Sequence, residues 1–399
     1  MSAGAIAVLQ TRTAVVSLPA FAGMYFAVRL CLSYLFFQSD PQQGAIAAFV
    51  INMFVLAGAA FYSFGPASAN LISALKVKCF RWVLAFLCFS LCSLLWSETV
   101  SVAVAFAYWL GFAADVLIIL LLFRTGDIQD VASQLIQGYV YGACFIACAM
   151  WLSPTMQDLR PGNDDFFSPN AIGFTCAFGV FFAQYLSRSR GGWRIPAIFL
   201  AISLLRSLSK TTIAAFIVGE LILLARDKTL RTRSKVALLG VAGLVVAAFW
   251  NLIVAYYDVY TNAGNQAETL TGRIGIWQFV LDRSVERPWF GHGFHSFRNV
   301  IPPFGTFEAW HAHNEVIQQF YAYGVVGLVL LIGVYGSFYR QLRHVSNPAY
   351  KTLFLGLIVF IVVRGFADTE RFDLSFPLWS ITLLSLMLAS MERRREVPQ

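Results

Sequence analysis

Residues 311–338 read HAHNEVIQQFYAYGVVGLVLLIGVYGSF. From Val316 onward this stretch carries no charged side chain. At ~1.5 Å per residue it is long enough to cross the roughly 30 Å hydrocarbon core of a bilayer as a helix. Its opening residues differ in character. Two of the chain's five histidines, His311 and His313, stand beside Asn314 and Glu315. Ionisable imidazoles at the mouth of an apolar helix place chemistry at a membrane surface.

The rest of the chain agrees with this reading. Of its 399 residues 58% are hydrophobic and 13% charged, with a mean hydropathy of +0.67; soluble domains carry about 25% charged residues. Apolar runs near spanning length recur at about 14–37, 44–63, 79–95, 101–123, 133–153, 170–187, 195–209, 211–226, 236–256, 314–338, 351–364 and 375–390. Backbone groups inside lipid must be paired within the segment, so the runs predict helices. They do not alternate as barrel strands do. The expected fold is all-α and polytopic, with about twelve transmembrane helices. The first run is too long for a signal-peptide core and no small-residue cleavage site follows it, which predicts a retained helix. The seventh and eighth runs meet at Ser209-Lys210 and predict a tight hairpin. The seven cysteines lie in or beside apolar runs and imply no disulfide framework.

Lysine and arginine set the orientation. Segments such as RDKTLRTRSK (226–235) and MERRRE (391–396) are short and basic, as cytoplasmic loops and tails are. Both termini are therefore expected in the cytoplasm, and the net charge of +8 is a topology signal rather than a nucleic-acid-binding one. Residues 1–256 would carry helices one to nine. Residues 257–312 would form one large periplasmic loop, and 313–399 the last three helices with a basic tail. Several cations do not fit the cytoplasmic set. Arg29 and Arg206 fall within apolar runs and Arg364 at a run's end. Arg160, Lys210, Arg273 and Arg371 are among those on the external side. A cation in a membrane helix costs at least ~2.5 kcal/mol by insertion scales, which makes it a functional hypothesis. Arg206 and Lys210 are four apart, on one helix face. An anionic ligand at the outer face accounts for this set.

The external loop contains TLTGRIGIWQFVLDRSVERPWFGHGFHSF, in which Ile274, Trp277, Val280 and Leu281 recur at helical spacing. A helix along the membrane surface is expected, starting at Thr271-Gly272 and ended by Pro288 and the Gly291/Gly293 turn. Arg273 would lie in its first turn, where an anion meets a guanidinium and free N–H groups together. His292, His295, His311 and His313 raise a metal site. Neither pair belongs to a helical HExxH, and no cysteine joins them, so no metal is expected. An imidazole can instead take a proton from an alcohol. One base facing several cations suits glycosyl transfer from a lipid-linked pyrophosphate. The leaving group needs charge neutralisation, and the attacking sugar hydroxyl needs a base.

Four stretches in order, RPGNDDFFSPNAIGF (160–174), SLSKTT (207–212), TGRIGIWQFVLDRSVERPWFGHGF (271–294) and HAHNEVIQQFYAYGVVGL (311–328), resemble the O-antigen ligase/polymerase superfamily of bacterial inner-membrane proteins. The resemblance implies a metal-independent membrane glycosyltransferase of GT-C-like architecture, with undecaprenyl-pyrophosphate-linked glycan as donor and no cofactor. It implies His313 as the base and Arg273 and Lys210 as pyrophosphate ligands; Arg206, on one helix face with Lys210, is a further pyrophosphate-binding candidate from its charge and spacing. Arg160 and Asn170 match the earlier loop motif, on donor or acceptor. His311, Asn314 and Arg371 are supporting or acceptor-side candidates. Flippase and chain-length-regulator partners are also implied. Lys210 stands where the ligases usually have arginine, a point charge for a bidentate fork, which tilts the expectation toward an exopolysaccharide or O-antigen polymerase. A ligase acting on lipid A–core is the nearest alternative. A polyprenyl-linked glycan transporter is a third, but paired broken helices in two halves are not legible in the chain.

Overall fold

Short polar residues set where the helices begin. The hydroxyls of Ser17, Ser101 and Ser168 accept the main-chain N–H groups of Ala20, Val104 and Ala171. The Asp127 carboxylate accepts from Gln129 N, and the amide oxygens of Asn314 and Asn347 accept two N–H groups each. These contacts satisfy donors that a first helical turn leaves open. Pro169 and Pro348, in first turns, have no N–H to satisfy.

The computed structural model describes residues 17–29, 32, 41–65, 71–156, 159–162, 167–189, 191–227, 231–255, 270–298, 300–303, 309–369 and 375–396. Its helices are α1 (Leu18–Val28), α2 (Pro41–Tyr62), α3 (Lys78–Ser93), α4 (Val102–Thr125), α5 (Ile128–Leu152), α6 (Pro169–Ser187) and α7 (Arg194–Arg206), then α8 (Lys210–Arg226), α9 (Thr232–Ala248), α10 (Leu270–Ser284), α11 (Glu315–His344), α12 (Pro348–Gly365) and α13 (Ser375–Glu396). A 3-10 turn at Leu71–Lys76 precedes α3. No strand occurs among the described residues. Val102–Arg124, Ile128–Leu152, Glu315–His344 and Pro348–Gly365 are long and apolar enough to cross a membrane. The protein is a helical membrane protein.

In lipid, helices gain little from hiding apolar surface from one another, and close packing takes over. α1 and α5 approach through glycines. A Cβ on Gly23 would stand 1.9 Å from Leu135 O, and one on Gly138 would stand 1.8 Å from Ala20 O. Arg29, at the end of α1, is not a ligand cation. It pairs with Asp115 of α4 at 2.6 Å, and Asn52 of α2 donates to the same carboxylate at 3.2 Å. The charge is neutralised inside the bundle, which corrects the functional reading of this residue.

Helix α11 is broken at Gly324 (φ 62°, ψ −152°). The segment 288–293 inserts at the break. His292 N and Gly293 N donate to Tyr321 O and Ala322 O, while Val325 N and Val326 N donate to Pro288 O and Trp289 O. Irregular backbone at membrane depth is tolerated where protein satisfies it. Gly291 (φ 63°) and Gly293 (φ 90°) bring their backbone against Ala322 and Ser97. The motif RPWFGHGF is thus a structural insert that completes α11.

One sequence expectation changes and another gains detail. α7 packs on α6, whereas α8 packs on α12, so α7 and α8 do not form the expected hairpin. α10 forms, but Ile276 and Val280 make its buried face, against Phe297, Ile301, Ala312 and Tyr321. Ile274 and Leu281 are exposed. The two burying residues are four apart and pack on α11 and the loop, so tertiary contact rather than a surface alone orients the helix.

Candidate active site

His313 precedes the Asn314 cap of α11 and has a left-handed φ of 50°. Such a conformation costs a non-glycine residue on the order of 1–3 kcal/mol and persists where surrounding contacts hold it. Those contacts come from the turn after α12. His313 Nδ1 lies 3.4 Å from Asp368 Oδ1, and Arg364 Nη2 lies 3.0 Å from Asp368 Oδ2. The imidazole is 18% exposed and the carboxylate 3%, so the ring reaches the surface while its partner is buried. Burial opposes charge on Asp368, but Arg364 and the His313 and His311 imidazoles outweigh it and hold the carboxyl well below the usual aspartate range.

The turn is clamped from three sides. Asn314 Nδ2 donates to Phe366 O at 2.9 Å. Thr369 Oγ1 donates to the buried Glu315 at 2.6 Å. Arg273, in the first turn of α10, donates through Nη1 to Ala367 O, which brings it within one residue of Asp368. His311 lies with its ring 4.1 Å from that of His313, and its Nδ1 accepts the His313 main-chain N–H at 3.2 Å. The Arg364 guanidinium sits 3.9 Å from the centre of the Phe174 ring on α6, and its Nε has no partner among the described residues. The ligand atoms of His311, His313 and Asp368 lie within 4.8 Å of one another, a spacing that could hold a metal ion.

A second group surrounds the start of α6. Asn170 Oδ1 accepts from Ser209 Oγ at 2.7 Å, which ties α6 to the residue before Lys210. Lys210 opens α8 with its side chain exposed. Arg206 donates to Leu159 O at 3.3 Å, next to the buried Arg160, and faces the Trp151 ring at 5.9 Å. Phe174, one turn beyond Asn170, joins this group to Arg364. His313, His311, Asn314 and Arg273 are therefore neighbours, and Asn170, Lys210, Arg206 and Arg160 form a second set across α6. Arg371 lies outside the described residues.

The two other histidines of the loop, His292 and His295, hold it in place. His292 is buried, with Nδ1 2.9 Å from Glu98 Oε2 and Nε2 3.0 Å from Arg283 O. Glu98 also pairs with Arg283 and Arg287. His295 Nδ1 meets Thr99 Oγ1 at 3.2 Å, and its ring stacks on Tyr108. Burial, reinforced by Arg298, pushes its pKa down to about 4. Asp368 and Arg364 escape a sequence-led search as a site pair. Their i, i+4 spacing at the end of an apolar run is the available signal.

The family described as O-antigen ligase matches residues 195–332, which run from α7 through the break in α11. Among curated proteins, the chain is 26% identical over 322 residues to the exopolysaccharide production protein ExoQ of Rhizobium meliloti (strain 1021), covering 73% of this chain and 72% of that one. Proteins designated as candidate polysaccharide ligases resemble a shorter segment. The one in Rickettsia conorii is 22% identical over 129 residues, 29% of this chain and 31% of its own. The one in Rickettsia felis is 20% identical over the same length, 29% of this chain and 32% of its own. The motif order, the matched segment around the site and these relatives together support a likeness to the O-antigen ligase-like superfamily.

Proposed function

We propose that this protein transfers a glycan from an undecaprenyl-pyrophosphate-linked oligosaccharide to a sugar hydroxyl, at the periplasmic face of a bacterial inner membrane. The observation that carries the reading is the partly exposed His313 backed by buried Asp368. With Nδ1–H turned to Asp368, Nε2 is the ring nitrogen that takes the hydroxyl proton. The hydroxyl oxygen forms a bond to the anomeric carbon as the carbon–oxygen bond to pyrophosphate breaks. The electron pair leaves with the pyrophosphate, whose charge Arg273, Arg364 and Lys210 are suited to neutralise. Arg206, Arg160 and Asn170 shape the wall on the α6 side.

The same histidines and Asp368 have metal-ligand spacing, but a base is the better reading. The second Asp368 oxygen already holds a guanidinium, and Arg273 lies beside it, so a dication would enter a positively charged site. His311 Nδ1 is also engaged by main chain. Between polymerisation and single transfer, the likeness to ExoQ over most of both chains favours polymerisation of repeat units. Flippase and chain-length regulator proteins are the partners such a reaction calls for.

The test incubates purified protein with the host's lipid-linked oligosaccharide, with chelator present, and resolves the products on a gel. A ladder of repeats without added acceptor is expected. One new band that depends on lipid A–core would replace polymerase with ligase. Unchanged donor in both, with folded protein, would overturn glycan transfer and favour transport.

A further inference from the structure

The end of α11 remote from His313 carries a feature that the reaction does not use. A cavity of about 730 Å³ opens where the 3-10 turn before α3, the start of α3 and the ends of α11 and α13 meet. Lys76, Lys78, Arg340, Arg343 and Arg393 line it. They come from four separate elements, and none makes an ion pair with another described residue. Glu392 is the one carboxylate in the lining, and it accepts the Ser346 main-chain N–H. A topology signal alone asks only that cations lie on one side of the membrane; here they converge on one hollow of ligand size.

Two further observations point to an occupant. Gln341 lines the cavity and donates to Ser385 O, yet its Oε1 is buried without a partner. A buried amide oxygen left without a donor is unfavourable, so a hydroxyl donor there is favoured. The inner wall is apolar, with Val77, Trp82 and Ala389 beneath the cations. Cations at the rim, an open acceptor and an apolar wall suit an amphiphile with a phosphate head. We propose that this cavity binds a phosphate-bearing anion, and that the headgroup of an anionic phospholipid is its occupant. The phosphate lies among Lys78, Arg340 and Arg343, a headgroup hydroxyl donates to Gln341, and an acyl chain follows Trp82. The assignment stands independently of the glycan-transfer reading.

Native mass spectrometry of the detergent-solubilised full chain tests it, with dioleoylphosphatidylglycerol, dioleoylphosphatidylcholine or inorganic phosphate titrated in. Phosphatidylglycerol should bind saturably and about 10-fold more tightly than phosphatidylcholine, since several cations near a lipid surface together favour an anionic headgroup. Lys78→Gln/Arg340→Gln should remove most of that preference. Arg231→Gln/Arg233→Gln, which deletes two exposed cations elsewhere, should leave it intact. If excess inorganic phosphate does not displace the lipid, the lipid source holds. If phosphate binds alone and is lost in the first double variant, the anion site holds with free phosphate as its source. Equal binding of the two lipids by the unmodified chain together with no phosphate binding, or equal losses in the two double variants, would overturn the site.

Discussion

The proposed role of His313 as base requires that something orient the ring, and Asp368, 3.4 Å from its Nδ1, is the group placed to do so. Asp368→Asn keeps the shape but removes the charge, and its turnover of lipid-linked donor should fall about 100-fold or more, within the range of a positioned general base. Donor KM should change little; near-normal turnover would remove Asp368 from the mechanism. The carboxyl is held below the ordinary value of about 3.9. Its contribution is therefore complete above that pH and is lost only as pH falls through the lower folded value, so activity lost near pH 6 has another origin. Arg273→Ala should weaken donor use, and Arg273→Lys should restore it only in part, because a point charge cannot reproduce the fork. His295 has linkage of the same sign, through its neutral rather than its charged form. Its folded pKa of about 4 lies below the unfolded value of about 6.5, so stability from keeping it neutral is full above 6.5 and declines as pH falls toward 4. The melting temperature in detergent should drop over that window, and less so in His295→Gln. An equal drop in both would exclude this histidine as the source. His313 and Arg273 stood out in the sequence because ionisable groups are scarce in an apolar chain. Asp368 did not, because its partner is 55 residues away and only folding joins them.

At the scale of elements, the break in α11 decides what the large loop is for. Gly324 occupies a backbone region essentially confined to glycine, and a Cβ there would stand 2.4 Å from the Trp289 carbonyl carbon. Gly324→Ala should therefore cost at least about 1–3 kcal/mol and lower the melting temperature by several degrees. An unchanged melting curve would mean that the 288–293 insert does not depend on the break. The apolar run was legible in the sequence, and the break was not. YAYGVVGL reads as uninterrupted helix because the hydrogen bonds that replace its own are supplied by a segment some thirty residues earlier. The buried face of α10 was not legible for a related reason: four apolar positions recur at helical spacing, and the neighbours select Val280 from among them, together with Ile276.

For the whole molecule, the testable statement is sidedness. The site sits at the Glu315 end of α11 and the basic cavity at the His344 end, so the two face opposite membrane surfaces if α11 crosses. Reporter fusions at residue 230 and at residue 285 should report opposite sides; the same side for both would break the assignment of the site to the periplasm. The split also separates the two proposals, because a lesion in the basic cavity leaves His313 and its neighbours untouched.

The helical membrane class, the elements and the candidate base follow from the sequence itself. Apolar length, capping residues and rare charges are local properties that a bilayer reads one segment at a time. Tertiary structure alone decided which charges pair away from the candidate site and which gather at it. Arg29 is paired away by Asp115, while Arg364 and Arg273 converge on Asp368 and His313. The physical reason is that a charge in a low-dielectric bundle is defined by its nearest partner, and that partner is chosen by the packing of helices distant in the chain.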